Sequence, residues 1–188
     1  RNQGTIGGNL CTSSPIGDIA PILLVLNSDI NVFGRKGFKK INIKNFFKGY
    51  RKNILKKDEI ISSLELPIAN KKNKIFSWKL SKRYDQDIST ISLAINIQIQ
   101  NNIIKELYMA AGGVAETPKL LDKLCKQMVE KNLDDSIEFA IHNLDKFIQP
   151  ISDLRGSSHY RLEAMKGLFR RLQTCLRQEK ESLSIMEV

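Results

Sequence analysis

From Ile91 to Ile99 the apolar side chains fall on every second residue: Ile91, Leu93, Ile95, Ile97 and Ile99. Side chains of a strand alternate between its two faces, so a strict period of two demands a β-strand with one apolar face. Asn101-Asn102 supplies a turn, and Ile103 to Met109 returns as a second strand, which makes a β-hairpin. Three helices are expected after it. Thr117-Pro118 reads as an N-cap followed by a proline at the first helical position, with Leu121, Leu124 and Met128 on one face. A second helix would start near Asp134 and turn Ile137, Ile141 and Leu144 inward. The third follows Gly156-Ser157-Ser158 and carries Met165, Leu168, Phe169, Leu172, Cys175 and Leu176 at spacings of three and four. Arg170, Arg171 and Arg177 lie on its opposite face, where the helix dipole alone accounts for them.

The first half is less regular. Residues 1–21, rich in Gly, Ser and Pro, read as a loop region without regular helix. Ile22 to Leu26 suits a short buried helix or a strand. Ile30 to Phe33 reads as a strand turned at Gly34 and Gly37, and Ile60 to Leu66 as another, closed by Pro67. Ala69 to Lys74 is polar and charged and reads as a linker.

Composition bounds the function. The 188 residues are 41% apolar and 27% charged, the balance of a globular protein. The longest apolar run, Ile19 to Leu26, contains a proline and is far below the roughly 20 residues of a membrane helix. Arg1 to Thr5 shows no signal-peptide pattern, so a cytoplasmic protein is expected. Cys11, Cys125 and Cys175 are widely spaced, which suits a reducing compartment better than a disulfide scaffold. His142 and His159 sit in no ligand pattern and read as solvated.

The net charge of +10 is local. Ten basic and no acidic residues lie between Arg35 and Lys57, leaving 20 of each sign elsewhere. Phe33, Phe38, Phe46, Phe47 and Tyr50 interleave the cations, a pattern that suits base stacking. No helix-turn-helix, zinc-finger or RNA-binding signature accompanies it, and Ile41, Ile43, Phe46 and Phe47 suit a buried strand equally well. A basic, non-catalytic binding module, for nucleic acid or as a subunit-contact scaffold, is therefore the weaker reading.

The residues that suggest chemistry are Thr5-Ile6-Gly7-Gly8-Asn9. A double glycine beside a hydroxyl residue lets successive backbone N–H groups converge on phosphate oxygens. The pattern is neither a Rossmann fingerprint nor a P-loop. With Ser14-Pro15-Ile16-Gly17-Asp18-Ile19-Ala20-Pro21 soon after it, however, the segment resembles the FAD-binding subunit of molybdenum hydroxylases, above all the small subunit of bacterial xanthine dehydrogenase. Four more segments carry the resemblance in order: Phe46 to Arg51, Lys79 to Ser89, Gly112 to Pro118, and Pro150 to Ser157 with Tyr160-Arg161.

The resemblance implies an α+β protein: the end of a vanillyl-alcohol-oxidase-like FAD-binding domain over 1–70, then a carbon-monoxide-dehydrogenase-flavoprotein-like C-terminal domain over 75–180 with an antiparallel sheet and three helices. It implies FAD as cofactor, with Thr5, Gly7, Gly8 and Asn9 at the pyrophosphate. Asp18 would accept a hydrogen bond from the cofactor, Ile61 would pack against a ring, and Lys79 would stabilise the reduced flavin. Read without it, Asp18 is a helix cap, Ile61 core and Lys79 a solvated strand edge, while Asp85 and Asp87 neutralise Arg83. The molybdenum cofactor and iron–sulfur clusters would sit on absent domains or partner subunits, a molybdenum-binding large subunit among them, since three cysteines cannot hold two clusters. NAD+ would be the electron acceptor. The chain begins at Arg1, not Met, and is expected to be the C-terminal part of such a subunit.

Overall fold

The structure, a computed structural model, describes residues 4–68, 70–82 and 88–177. Thr5 opens helix α1 (Ile6–Thr12): its backbone is extended and its Oγ1 accepts the Gly8 N–H at 3.0 Å. Ser13, in the left-handed region at φ 49°, ends the helix. Helix α2 (Ile19–Val25) follows and buries Ala20, Leu23, Leu24 and Val25. The reading of residues 1–21 as loop is thus wrong over 6–12 and 19–21. With seven residues and one buried side chain, Leu10, α1 is too short to display a period.

The expected strand over Ile30–Phe33 is β1 (Asp29–Gly34), and it forms a hairpin with β2 (Gly37–Asn42), with Phe33 opposite Phe38. A 3-10 turn at Ile43–Asn45 leads into a second small hairpin of β3 (Phe47–Gly49) and β4 (Lys52–Asn53). Strand β5 (Ile60–Glu65) then pairs with the other edge of β1, giving the order β2-β1-β5. The basic window is spent only in part on this fold. Ile43 and Phe46 are wholly buried, and Lys39 and Lys40 pair with Glu59 and Glu65 at 2.6 and 2.5 Å.

Four further strands make an antiparallel sheet in sequence order: β6 (Lys74–Leu80), β7 (Ile91–Gln100), β8 (Ile103–Gly112) and β9 (Lys119–Leu120). Ile91, Leu93, Ile95 and Ile97 all enter one core, with Phe76, Leu107 and Met109 beside them. Helices α3 (Asp122–Met128), α4 (Leu133–Asn143) and α5 (Ser158–Arg177) cover that face. A bulge interrupts β8: Gln98 faces Glu106 while Ile99 faces Ile104, so Lys105 is an extra residue. It allows Ile104 and Leu107, three positions apart, to be buried together.

The opposite face of β7 is buried too. Ser92, Ala94 and Asn96 are covered, and Ala94 and Ala110 join a second core with Leu10, Leu23, Leu24, Ile30 and Val32. Small side chains there let α2 lie close against the sheet. No helix among the described residues is long and apolar enough to cross a membrane.

Two helical expectations need correction. Thr117-Pro118 does not start a helix; it leads into β9, where Lys119 and Leu120 pair with Ala111 and Ala110, and α3 begins at Asp122. Strand pairing overrides the capping signal. Two of the three arginines on the outer face of α5 are also engaged: Arg171 stacks over Trp78 at 5.5 Å, and Arg177 pairs with Asp134 at 2.7 Å.

Candidate functional site

The residues singled out in the sequence gather on the α2 side of the large sheet. Thr5, Gly7, Gly8 and Asn9 occupy the cap and first turn of α1, a helical turn in place of the expected concave loop. A Cβ on Gly8 would stand 3.0 Å from Thr5 Oγ1, so glycine there preserves the cap. Ile61 lies against Gly7, its Cβ 3.7 Å from where a Gly7 Cβ would be, and packs partly into the second core. Asn9 Oδ1 is buried without a hydrogen-bond partner among the described residues. First-turn N–H groups of a helix have no partner within it.

Asp18 heads α2 yet makes no capping hydrogen bond. Its Oδ2 instead accepts from Lys79 Nζ at 2.9 Å, across 61 positions of sequence. The capping reading therefore gives way to an ion pair in which Lys79, on the edge strand β6, is 41% exposed and Asp18 32%. Register explains the meeting: Lys79 stands opposite Ser92, and Ser92 opposite Gly112, so the three form one row across the sheet.

The loop before Asp18 sits on that row. The Gly113 N–H donates to Pro15 O at 2.7 Å, and a Cβ on Gly112 would come within 3.3 Å of the Pro15 and Gly17 carbonyl oxygens. On Gly113, at φ +81°, a Cβ would lie 2.6 Å from Thr90 O. Glycine is required at both positions for this close approach. The Gly112-Gly113 pair was visible in the sequence, but the contact it serves was not.

Beside this loop lies a cleft of about 380 Å³ between Ser14–Ile16, Tyr50–Arg51, Lys82 and Asp153–Arg155. Arg51, Lys82 and Arg155 bring positive charge to it. Burial works to raise the Asp153 carboxyl, but hydrogen bonds from Arg161 and the Arg155 N–H outweigh it and hold Asp153 below the usual carboxylate range. Arg161, which belongs to the C-terminal segment of the resemblance, is wholly buried. Its signal was present: it falls four residues before Met165, on the apolar side of α5.

The thiols offer little chemistry. Burial pushes Cys125 up to about 12 and raises Cys11 as well. Among the described residues no three His, Cys, Asp or Glu side chains cluster as a metal site would require. His142 is exposed and bonds its own helix at Glu138 O. Arg83, Asp85 and Asp87 lie outside the described residues.

Comparison with known proteins identifies the family of the chain. Residues 1–69 match the family described as FAD binding domain in molybdopterin dehydrogenase, and residues 76–176, more than half of the chain, the family described as CO dehydrogenase flavoprotein C-terminal domain. The medium chain of glyceraldehyde dehydrogenase from Sulfolobus acidocaldarius is 30% identical over 89% of this chain and 59% of its own length. Xanthine dehydrogenase/oxidase from Gallus gallus is 29% identical over 77% of this chain but only 11% of its own. The chain thus spans little more than half, or far less, of these relatives. The fold of a carbon monoxide dehydrogenase chain from Hydrogenophaga pseudoflava superposes with a TM-score of 0.84 at 20% identity, over 91% of this chain and 60% of that one. The chain belongs to the molybdopterin dehydrogenase flavoproteins, joining part of their FAD-binding domain to a CO dehydrogenase flavoprotein C-terminal domain.

Proposed function

We propose that the chain is the FAD-binding component of a molybdenum hydroxylase similar to xanthine dehydrogenase, receiving electrons from iron–sulfur clusters and passing them to NAD+. The observation that carries this reading is the Asp18–Lys79 ion pair, with Asn9 Oδ1 3.5 Å from where a Cβ on Gly17, the residue before Asp18, would stand. Bound FAD would supply two-electron chemistry, accepting electrons singly and releasing them as a hydride. The protein's part is to hold and bias it. With the Gly8 N–H held by Thr5 Oγ1 and the Asn9 N–H by Thr5 O, the Ile6 and Gly7 N–H groups would be the ones offered to a pyrophosphate. Asn9 Oδ1 has an unmet need for a donor, which a cofactor hydroxyl would satisfy. Asp18 could accept from a hydroxyl or N–H of the cofactor, and Lys79, held by it, would supply a cation to the negative charge of a reduced flavin. Ile61 offers an apolar wall next to Gly7.

The division at residues 70–75 belongs to the same proposal: the FAD-binding part over 1–70 and the C-terminal domain over 75–180. The cleft with Arg51, Lys82 and Arg155 suits the diphosphate of NAD+, with Tyr50 as an aromatic neighbour. A molybdenum-binding large subunit would perform the substrate hydroxylation. The free cysteines support a cytoplasmic setting.

FAD titration tests the reading, with the fluorescence of the single Trp78, next to Lys79, as one signal and flavin absorbance as another. The chain is titrated alone and with the upstream half of the FAD-binding domain added in trans. Saturable, one-to-one binding in the presence of the upstream half is expected. No binding in either state would contradict a flavin function and leave a subunit-contact role.

A further inference from the structure

The buried guanidinium of Arg161 has no part in the flavin site, yet it organises one wall of the cleft. Arg161 Nη1 donates to Ile151 O at 2.7 Å and Nη2 to Asp153 Oδ1 at 2.8 Å. Its Nε is buried without a partner among the described residues. An arginine withdrawn from water on the apolar side of a helix is costly unless its partners are held in place for it. Here they are. Asp153 and Gly156 exchange backbone hydrogen bonds at 3.1 and 3.2 Å, Asp153 Oδ1 also accepts the Arg155 N–H at 2.8 Å, and Ser152 Oγ accepts the Ser158 N–H at 2.8 Å.

The closed turn has an outward use. The Leu154 carbonyl accepts Lys82 Nζ at 2.7 Å, and the Arg155 carbonyl accepts Thr90 Oγ1 at 3.4 Å. Gly156 lets the turn press against the sheet, since a Cβ there would stand 2.9 Å from Thr90 Cγ2. Lys82, Asp153, Leu154 and Arg155 all line the cleft. Two of its cations therefore depend on one turn, and that turn depends on Arg161.

We propose that Arg161 is a positioning residue for the acceptor cleft: by fixing Ile151–Gly156 it sets where Lys82 and Arg155 stand, and so how tightly the acceptor binds. The inference rests on the reading of the cleft as the approach of NAD+ to the flavin. Arg161 touches neither flavin nor acceptor and acts through the turn alone.

The test uses the complete enzyme, with its flavoprotein, iron–sulfur and molybdenum components assembled. Arg161→Lys keeps the charge but cannot span Ile151 O and Asp153 with a planar fork. Steady-state kinetics are measured with NAD+ and, separately, with ferricyanide, a small acceptor that needs no fitted cleft. Arg161→Lys is expected to raise KM for NAD+ about 10-fold, with ferricyanide turnover and FAD content changed by less than about two-fold. Asp153→Asn, which retains an acceptor oxygen, gives a smaller rise and serves if Arg161→Lys does not fold. Equal losses with both acceptors, or an unchanged KM for NAD+, would overturn the proposal.

Amide hydrogen exchange separates this failure from failure of the acceptor reading. If the wild-type enzyme reduces ferricyanide but never NAD+, the acceptor reading falls, and exchange then decides the role of Arg161. Faster exchange at Gly156 and at the Thr90 N–H in Arg161→Lys supports positioning through the turn. Faster exchange confined to α5 excludes it.

Discussion

The two faces of the β6–β9 sheet solve different problems with alternate residues of the same strands. Toward α3, α4 and α5 the strands present Leu93, Ile95, Ile97 and Met109, all wholly or nearly wholly buried. Toward α2 they present Ser92, Ala94, Ala110 and Gly112. Bulk on one face provides apolar burial, roughly 1.5–3 kcal/mol for each large side chain. Its absence on the other lets a polar loop and α2 approach the strands, and there Asp18 meets Lys79. Stability and the candidate site are thus separated by one residue of register.

That separation can be broken from either side. The largest effect is expected on the helical face: Ile95→Ala removes a wholly buried side chain and should cost about 3–4 kcal/mol in chemical denaturation. FAD affinity of the folded fraction should remain that of the wild type, because no site residue touches that face. Next in size is its neighbour. Ala94→Leu should cost about 2 kcal/mol by overpacking against α2, and should weaken FAD binding as well because α2 carries Asp18 at its head. If Ala94→Leu spares FAD binding while Ile95→Ala abolishes it, the two faces have been assigned the wrong way round.

A smaller effect sharpens the account of the helical face. The hydrogen bond from Gln173 and that from Arg177 hold the Asp134 carboxyl below the usual range, tying α4 to the end of α5. A carboxylate lowered by folding stabilises the native state fully above its unfolded pKa, about 3.9, and loses that contribution as pH falls through the folded value. The Tm difference between wild type and Asp134→Asn should therefore be present near neutrality and close below about pH 4. A difference that persists in acid would assign it to something other than ionised Asp134.

Legibility in the sequence followed the length and regularity of each element. Strand β7 and helix α5 announce themselves because each repeats its period over several turns or pleats. Helix α1 does not: two glycines and one buried residue leave nothing to repeat, and its caps at Thr5 and Ser13 mark its ends instead. The β9 pairing displaced a sound capping signal at Thr117 because Leu120 gains a place in the second core and Leu121 one in the first. The inserted Lys105 hid the period of β8. At the site, local chemistry could nominate the Thr5–Asn9 segment, and the resemblance nominated Asp18, Ile61 and Lys79. Neither could show that Asp18 and Lys79 bind each other, since that contact depends on strand register and on the closeness allowed by Gly112 and Gly113. Arg161 was overlooked because a charged residue at an apolar position looks like the end of the stripe when it is part of it.

The most direct test compares FAD occupancy and thermal stability in the complete flavoprotein subunit, wild type against Asp18→Ala. Loss of the carboxylate should weaken FAD at least about 10-fold, the range of one charge-assisted hydrogen bond, while apo-protein Tm moves by no more than about 2 °C. Full occupancy with unchanged affinity in Asp18→Ala would contradict a flavin site centred on the Asp18–Lys79 pair.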